Sequence, residues 1–249
     1  MYQFFIEDGN VAADFVTIEG SDVNHIKNVL RMKPGEKIRV CTRNGQNYFC
    51  SISDITESFV RADILEKEAE STELPCRVYL FQGLPKNDKM EWIIQKTVEL
   101  GVYKVIPVTM KNCVVKLDDK KAKSKVTRWQ AIAESAAKQS KRSLIPEVKM
   151  PMSYKEAVAY AKELDVKLVP YENEHGMAGT KAAMEQIKKG ESIAVFIGPE
   201  GGFAPEEIAL VQDEMQLISL GKRILRTETA GIAALAILGY QLESSDMIE

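Results

Sequence analysis

The chain has 249 residues, 45% hydrophobic and 28% charged, enough for one large domain or two small ones; this composition excludes a disordered chain, a collagen and a disulfide-stapled miniprotein. No apolar run approaches the roughly 20 residues that span a bilayer, and the start MYQFFIEDGN lacks the basic and then apolar regions of an export signal, so a cytoplasmic protein is expected. The net charge of −3 hides an asymmetry, because residues 111–149 hold 11 basic and only 4 acidic groups. That density suits a nucleic-acid backbone and equally a solvated helix face.

In chain order, Ser21 or Asp22 is placed to cap a short helix that lines up Val23, Ile26, Val29 and Leu30 on one face. Short alternating runs follow at Lys37 to Cys41 and Tyr48 to Ile52, separated by turn signals at Pro34-Gly35 and Asn44-Gly45. These predict a β-rich N-terminal domain over residues 1–70. The stretch EKEAESTELP, Glu66 to Pro75, is charged, poor in large apolar groups and closed by a proline, which reads as an interdomain linker.

From residue 76 onward β-like runs alternate with segments of helical period. Strands are expected at Cys76 to Phe81, Val102 to Val108, Val166 to Val169, Ser192 to Ile197 and Gln216 to Leu220. Helices are expected through Met90 to Val98, Val126 to Ser140, Tyr154 to Leu164, Thr180 to Lys189, after Pro205, and from Glu228 to Leu242. The alternation predicts an α/β domain with a mainly parallel sheet over 76–249. The four cysteines form no CxxC pair and the histidines number two, so neither a disulfide framework nor a zinc site is expected, and no metal is assigned. A proton-transfer role for His25 is disfavoured, and His175 reads better as a solvent position than as a site residue.

Three segments ask for more than packing. The apolar strand Ile193 to Ile197 runs into Gly198-Pro199-Glu200-Gly201-Gly202-Phe203, a loop at the strand-end edge where open α/β sheets bind ligands. It matches neither the phosphate-loop nor the dinucleotide fingerprint, and a plain tight turn remains the bland alternative. The second segment, Leu220-Gly221-Lys222-Arg223-Ile224-Leu225-Arg226-Thr227-Glu228-Thr229-Ala230, puts cations and a carboxylate at the start of a helix. They can grip an anion or make ordinary surface pairs. In that closing helix Gly231, Ala233, Ala234, Ala236 and Gly239 leave little bulk, so a close neighbour is expected. The third segment is the helix from Arg128-Trp129 to Gln139-Ser140-Lys141-Arg142, with Trp129, Ala133, Ala136 and Ser140 inward and cations at its end, which also suit the helix dipole.

The two glycine-containing loops together resemble the paired C-terminal signatures of the RsmE family of rRNA methyltransferases. Lys96-Thr97-Val98-Glu99-Leu100-Gly101-Val102, the Arg128-Trp129 helix and His25-Ile26-Lys27-Asn28-Val29-Leu30-Arg31 are similar to family blocks in the same order, over essentially the whole chain. The resemblance implies a PUA-like β-barrel domain followed by a SPOUT domain, an α/β knot, in a homodimer. It implies S-adenosyl-L-methionine as cofactor and N3 of a uridine in the 16S rRNA of the small ribosomal subunit as target. Cofactor contacts are then expected from Val169, Pro170, Tyr171, Ile197, Gly198, Pro199, Gly201, Gly202, Leu217, Leu220, Gly221, Ile224 and Leu225. RNA contacts are expected from Lys27, Arg31, Arg128, Gln139, Ser140, Arg142 and Arg223. Because uracil N3 carries a proton, a base is needed: Glu200 is the first candidate and Glu228 the alternative, with Arg226 stabilising charge on the uracil oxygens. Alternatives are a knotted ribose 2′-O-methyltransferase, told apart by the methylated nucleoside, and a non-catalytic RNA-binding protein, told apart by cofactor titration.

Overall fold

In the computed structural model, residues 1–68, 71–174 and 176–245 are described; His175 lies outside them. The chain forms two compact units, residues 1–73 with 137–145, and residues 74–136 with 146–249.

The first unit is a curled five-stranded sheet of β1 (Tyr2–Ile6), β2 (Phe15–Glu19), β3 (Lys37–Thr42), β4 (Asn47–Ile55) and β5 (Phe59–Glu68), in the order β1-β3-β4-β5-β2. All pairings are antiparallel except β1 with β3. Two register shifts in the β4–β5 ladder add curvature, and the edge strands β1 and β2 come into contact. Alternation along these strands sends Phe4, Val16, Ile18, Ile38, Val40, Ile52 and Val60 into one core. Helix α1 (Ser21–Asn24) continues through a wider helical turn, His25–Val29, and closes that core with Val23 and Ile26. Its N-cap is Gly20 and no side chain caps it, unlike the expected Ser21 or Asp22 cap.

The expected linker differs in two ways. Glu66 to Glu68 belong to β5, and Glu73 is a clasp: its carboxylate accepts from the Arg142 guanidinium and, at 2.7 Å, from the Ser143 amide. Arg142 is only 3% exposed, so it serves this pairing and not an RNA surface. Arg39 is buried beside it, bonded to Glu68 at 2.6 Å and to the Lys141 carbonyl at 2.9 Å. These contacts fasten residues 137–145 to the first unit, although sequence proximity placed them with the second.

The second unit carries an all-parallel sheet. Its strands are β6 (Arg77–Gly83), β7 (Lys104–Thr109), β8 (Glu147–Val148), β10 (Val166–Pro170), β11 (Ser192–Ile197) and β12 (Gln216–Ile218), ordered β12-β10-β11-β6-β7-β8, with β9 (Met152–Ser153) also beside β7. The central strands β6 and β11 are buried almost throughout, which is why they read as unbroken apolar runs. Phe81 and Phe196 stack at 4.4 Å between ring centroids in the middle of the sheet. The helices are α2 (Lys89–Glu99), α3 (Asp119–Ser140), α4 (Tyr154–Ala161), α5 (Ala178–Glu185), α6 (Pro205–Ala209) and α7 (Thr227–Ser245). The short strands β8 and β9 carry no periodicity long enough to read from sequence, and α3 begins seven residues before the expected Val126. The small residues of α7 are only partly explained by packing: a side chain at Gly231 would touch Gln82 Oε1 at 3.4 Å and Ala234 is buried, but Ala236 is exposed and a side chain at Gly239 would meet nothing within 4 Å among the described residues.

Candidate active site

Because the sheet is parallel, the segments leaving β6, β10, β11 and β12 all emerge at one edge. There they enclose a cavity of about 570 Å³, within the range of small-molecule sites. Of the expected cofactor residues, Pro170, Tyr171, Ile197, Gly198, Pro199, Gly202, Leu220, Gly221, Ile224 and Leu225 line it. Val169, Gly201 and Leu217 do not: Val169 is fully buried in β10, and Gly201 backs onto Asn112. Glu200, Arg223 and Arg226 line the cavity, whereas Glu228 stands beside it on the first turn of α7.

The glycine loop is held from three sides. Pro199 and Gly202 close a tight turn, with the Gly202 amide donating to the Pro199 carbonyl at 2.9 Å and Gly202 at φ +66°, where a side chain is strained. Asn112 donates its amide to the carbonyls of Gly201 and Gly202 at 3.0 and 3.2 Å. Glu207, buried in α6, accepts from the Lys111 and Ala204 amides, both at 2.8 Å, and so ties the β7–α3 connection to the end of the loop.

The second signature loop is joined to the first through the sheet. Gln82, fully buried at the end of β6, donates to Thr227 Oγ1 at 2.9 Å, and Thr227 donates to the Gly198 carbonyl at 2.6 Å. Thr227→Val keeps the shape and removes both bonds. We expect it to cost about 1–2 kcal/mol in denaturant unfolding, since it leaves a buried amide and a carbonyl short of a partner. Upstream, Thr180 exchanges bonds with the Ser219 backbone at 2.8 and 2.9 Å, fixing the exit of β12.

Glu200 accepts from the Lys86 amide at 3.0 Å and from Lys89 Nζ at 2.9 Å, and Lys89 also stands 3.3 Å from Glu228. Burial pushes the Glu200 carboxyl up, but the Lys89 ammonium and the backbone amides outweigh it and hold the group below the ordinary carboxylate range. The same bond from Glu200, with help from Glu228, raises Lys89 above the usual lysine value. Lys89 had no mark in the sequence, since its partner Glu200 lies 111 residues away. Glu172 and Glu174 also line the cavity unforeseen.

The expected RNA contacts are scattered. Lys27 is paired with Glu57, and Arg128 with Glu91 at 2.8 Å. Arg31 is exposed, with left-handed backbone at φ +54°, and Gln139 is exposed. Lys138 pairs with Asp22 at 2.9 Å, and Lys111 with Glu206. Lys116, Lys120 and Lys123 are exposed and unpaired among the described residues. No metal-binding cluster of His, Cys, Asp and Glu occurs among the described residues, and no helix there is long and apolar enough to cross a membrane.

Apolar Pro170, Leu220 and Leu225 and charged Lys89, Glu172, Glu200, Arg223 and Arg226 line the one cavity, with Ile224 also lining it but 87% exposed. That suits a ligand with a flat apolar part and a zwitterionic tail, so the residues present fit S-adenosylmethionine. The chain matches the family profile described as "RNA methyltransferase domain" over residues 72–239 and that described as "RNA methyltransferase PUA domain" over residues 18–65. It is 39% identical to ribosomal RNA small subunit methyltransferase E of Bacillus subtilis, over 98% of both chains. It is 36% identical to the protein of that name from Mesomycoplasma hyopneumoniae, over 93% of this chain and 96% of the other. The crystal structure of ribosomal RNA small subunit methyltransferase E from Neisseria gonorrhoeae, bound to S-adenosyl methionine, superposes with a TM-score of 0.83 at 32% identity over 96% of each chain.

Proposed function

This chain belongs to the ribosomal RNA small subunit methyltransferase E family, and from that premise we propose that it methylates N3 of a uridine in 16S rRNA. It is an S-adenosylmethionine-dependent RNA methyltransferase with a PUA-type first domain and a SPOUT-type second domain. The observation that carries the reading is the cavity itself, whose walls are the two signature loops at the strand-end edge of a parallel sheet.

S-adenosylmethionine supplies an electrophilic methyl group, so the protein's task is to align the nucleophile and exclude water. Pro170, Leu220, Ile224 and Leu225 would hold the adenosine part. Glu200 lines the cavity and is ionised, so it takes the N3 proton; Glu228, set back from the cavity, is the weaker candidate. Arg226 stabilises charge on the uracil oxygens as the proton leaves. A base held below the ordinary carboxylate range stays ionised as pH falls. The rate should therefore show no carboxylate-driven loss between about pH 8 and pH 5. An acid limb centred above about pH 6 in single-turnover assays would remove Glu200 as base.

RNA binding falls to the exposed cations Lys116, Lys120, Lys123, Arg31 and Arg223. The affinity for small-subunit RNA should fall linearly with salt on a log–log plot; a flat plot would refute this placement. We further read the chain as a knotted homodimer in the cytoplasm. α7 has no charge between Glu228 and Glu243, and Tyr240 on it and Trp92 on the adjacent α2 stay exposed, which supports a second copy against that face. The test of the activity is to incubate the protein with labelled S-adenosylmethionine and small subunits lacking the modification, then digest the rRNA. Label in 3-methyluridine supports the reading, and label in a 2′-O-methyl nucleoside replaces it.

A further inference from the structure

We propose that Lys89 is a positioning residue for the methyl transfer: its ammonium stands between Glu200 and Glu228, fixing the Glu200 carboxylate at the cavity wall against the Glu228 carboxylate set behind it on α7. The inference rests on the function proposed above.

Glu200 lies in the loop after β11 and Glu228 in the first turn of α7, so the two carboxylates arrive from separate segments and would repel each other if left alone. Lys89, the first residue of α2, reaches both, at 2.9 and 3.3 Å, and lines the same cavity. The ammonium hydrogen-bonds Glu200, while Glu228 Oε2 is buried with no hydrogen bond of its own among the described residues and is held by the charge of Lys89 alone. The three side chains are 20–26% exposed, so the cluster is partly shielded from solvent while still open to the cavity. The Lys86 amide adds a fixed donor to Glu200, so the segment after β6 grips Glu200 twice. Other charged groups around the cavity are Lys222, Arg223 and Arg226 on the β12–α7 connection and Glu172 and Glu174 after β10; Asp88, beside Lys89, pairs with Lys125 at 3.6 Å. Among the described residues Glu200 and Glu228 are the only charged partners of Lys89.

This geometry assigns Lys89 two effects on Glu200, a fixed orientation and a favoured ionised state. Without the ammonium the Glu200 carboxyl would titrate higher, because burial would act with less opposition. The loss should then fall on the chemical step and its acid limb, while the walls that hold the adenosine part stay intact.

The test uses the full chain with Lys89→Met, Lys89→Gln and Lys89→Arg. Carboxyl NMR of glutamate-labelled protein, assigned with Glu200→Gln, reads the Glu200 titration directly and needs no turnover. We expect its midpoint to rise in both neutral variants and to return in Lys89→Arg. With small subunits as substrate, kcat should drop about 30-fold or more in the neutral variants, with the acid limb moved to higher pH. S-adenosylmethionine Kd should stay within about threefold, and arginine should recover most of the rate. An unmoved Glu200 midpoint overturns the assignment, as does a rate loss accounted for wholly by weaker cofactor binding. A wild-type protein that labels no RNA would instead defeat the proposed function, and is seen before any variant is made.

Discussion

Glu200→Gln is expected to lower methyl transfer about 10²–10⁴-fold, the usual contribution of a general base, while S-adenosylmethionine still binds. The reason lies in what the substitution keeps. A glutamine oxygen can still accept from the Lys86 amide or from Lys89, and the side chain fills the same volume beside Pro199 and Gly202, so the loop has no cause to move. What goes is the ability to take a proton and one negative charge next to Lys89. Single-turnover assays with small subunits, paired with calorimetric titration of the cofactor, separate the two. A rate within about threefold of wild type, in a variant that folds, would take the base role from Glu200.

Gly83→Ala should damage the proposed cofactor site from behind. Gly83 ends β6 opposite Val108, and a Cβ there would lie 2.7 Å from the Pro199 nitrogen, 2.8 Å from its Cδ and 3.0 Å from Met110 Sδ. The Met110 side chain can give way, but the Pro199 backbone belongs to the turn that Gly202 closes. Relief therefore requires the glycine loop to shift. We expect about 1–3 kcal/mol of lost stability, as for other overpacked interiors, and roughly a tenfold weaker cofactor, since 1.4 kcal/mol is a factor of ten in binding. Thermal unfolding with and without S-adenosylmethionine measures both. Unchanged melting and unchanged affinity would mean that the loop yields at no cost.

Much of the second unit was legible because its cues are local. Ser192 to Ile197 is a continuous apolar run since both sheet faces are covered, and Met90, Ile93, Ile94, Thr97 and Val98 recur at helical spacing and are all buried. The glycine loop announced itself in the same way, because a turn at positive φ, as at Gly202, favours glycine. Ten of the residues expected around the cofactor do line the cavity, since strand ends in a parallel sheet share an edge.

The basic helix shows the limit. Arg142 looks like Lys120 in a list of charges, yet one is buried on Glu73 and the other is exposed. Charge density is a property of sequence, whereas the partner that cancels a charge arrives through the fold. The same holds for the segment expected to be a linker, whose Glu73 finds its partners at residues 142 and 143.

The sequence by itself determined most helices and central strands of the second unit, the family and the two loops that line the cavity, because periodicity, turn chemistry and multi-residue signatures act over a few residues. The tertiary structure alone decided that residues 137–145 join the first unit and that Gln82 and Thr227 tie one signature loop to the other. It alone brought Lys89 between Glu200 and Glu228. Those contacts bridge 29 to 145 positions of chain, and only closure of the sheet and packing of its helices brings such distant groups within reach of one another.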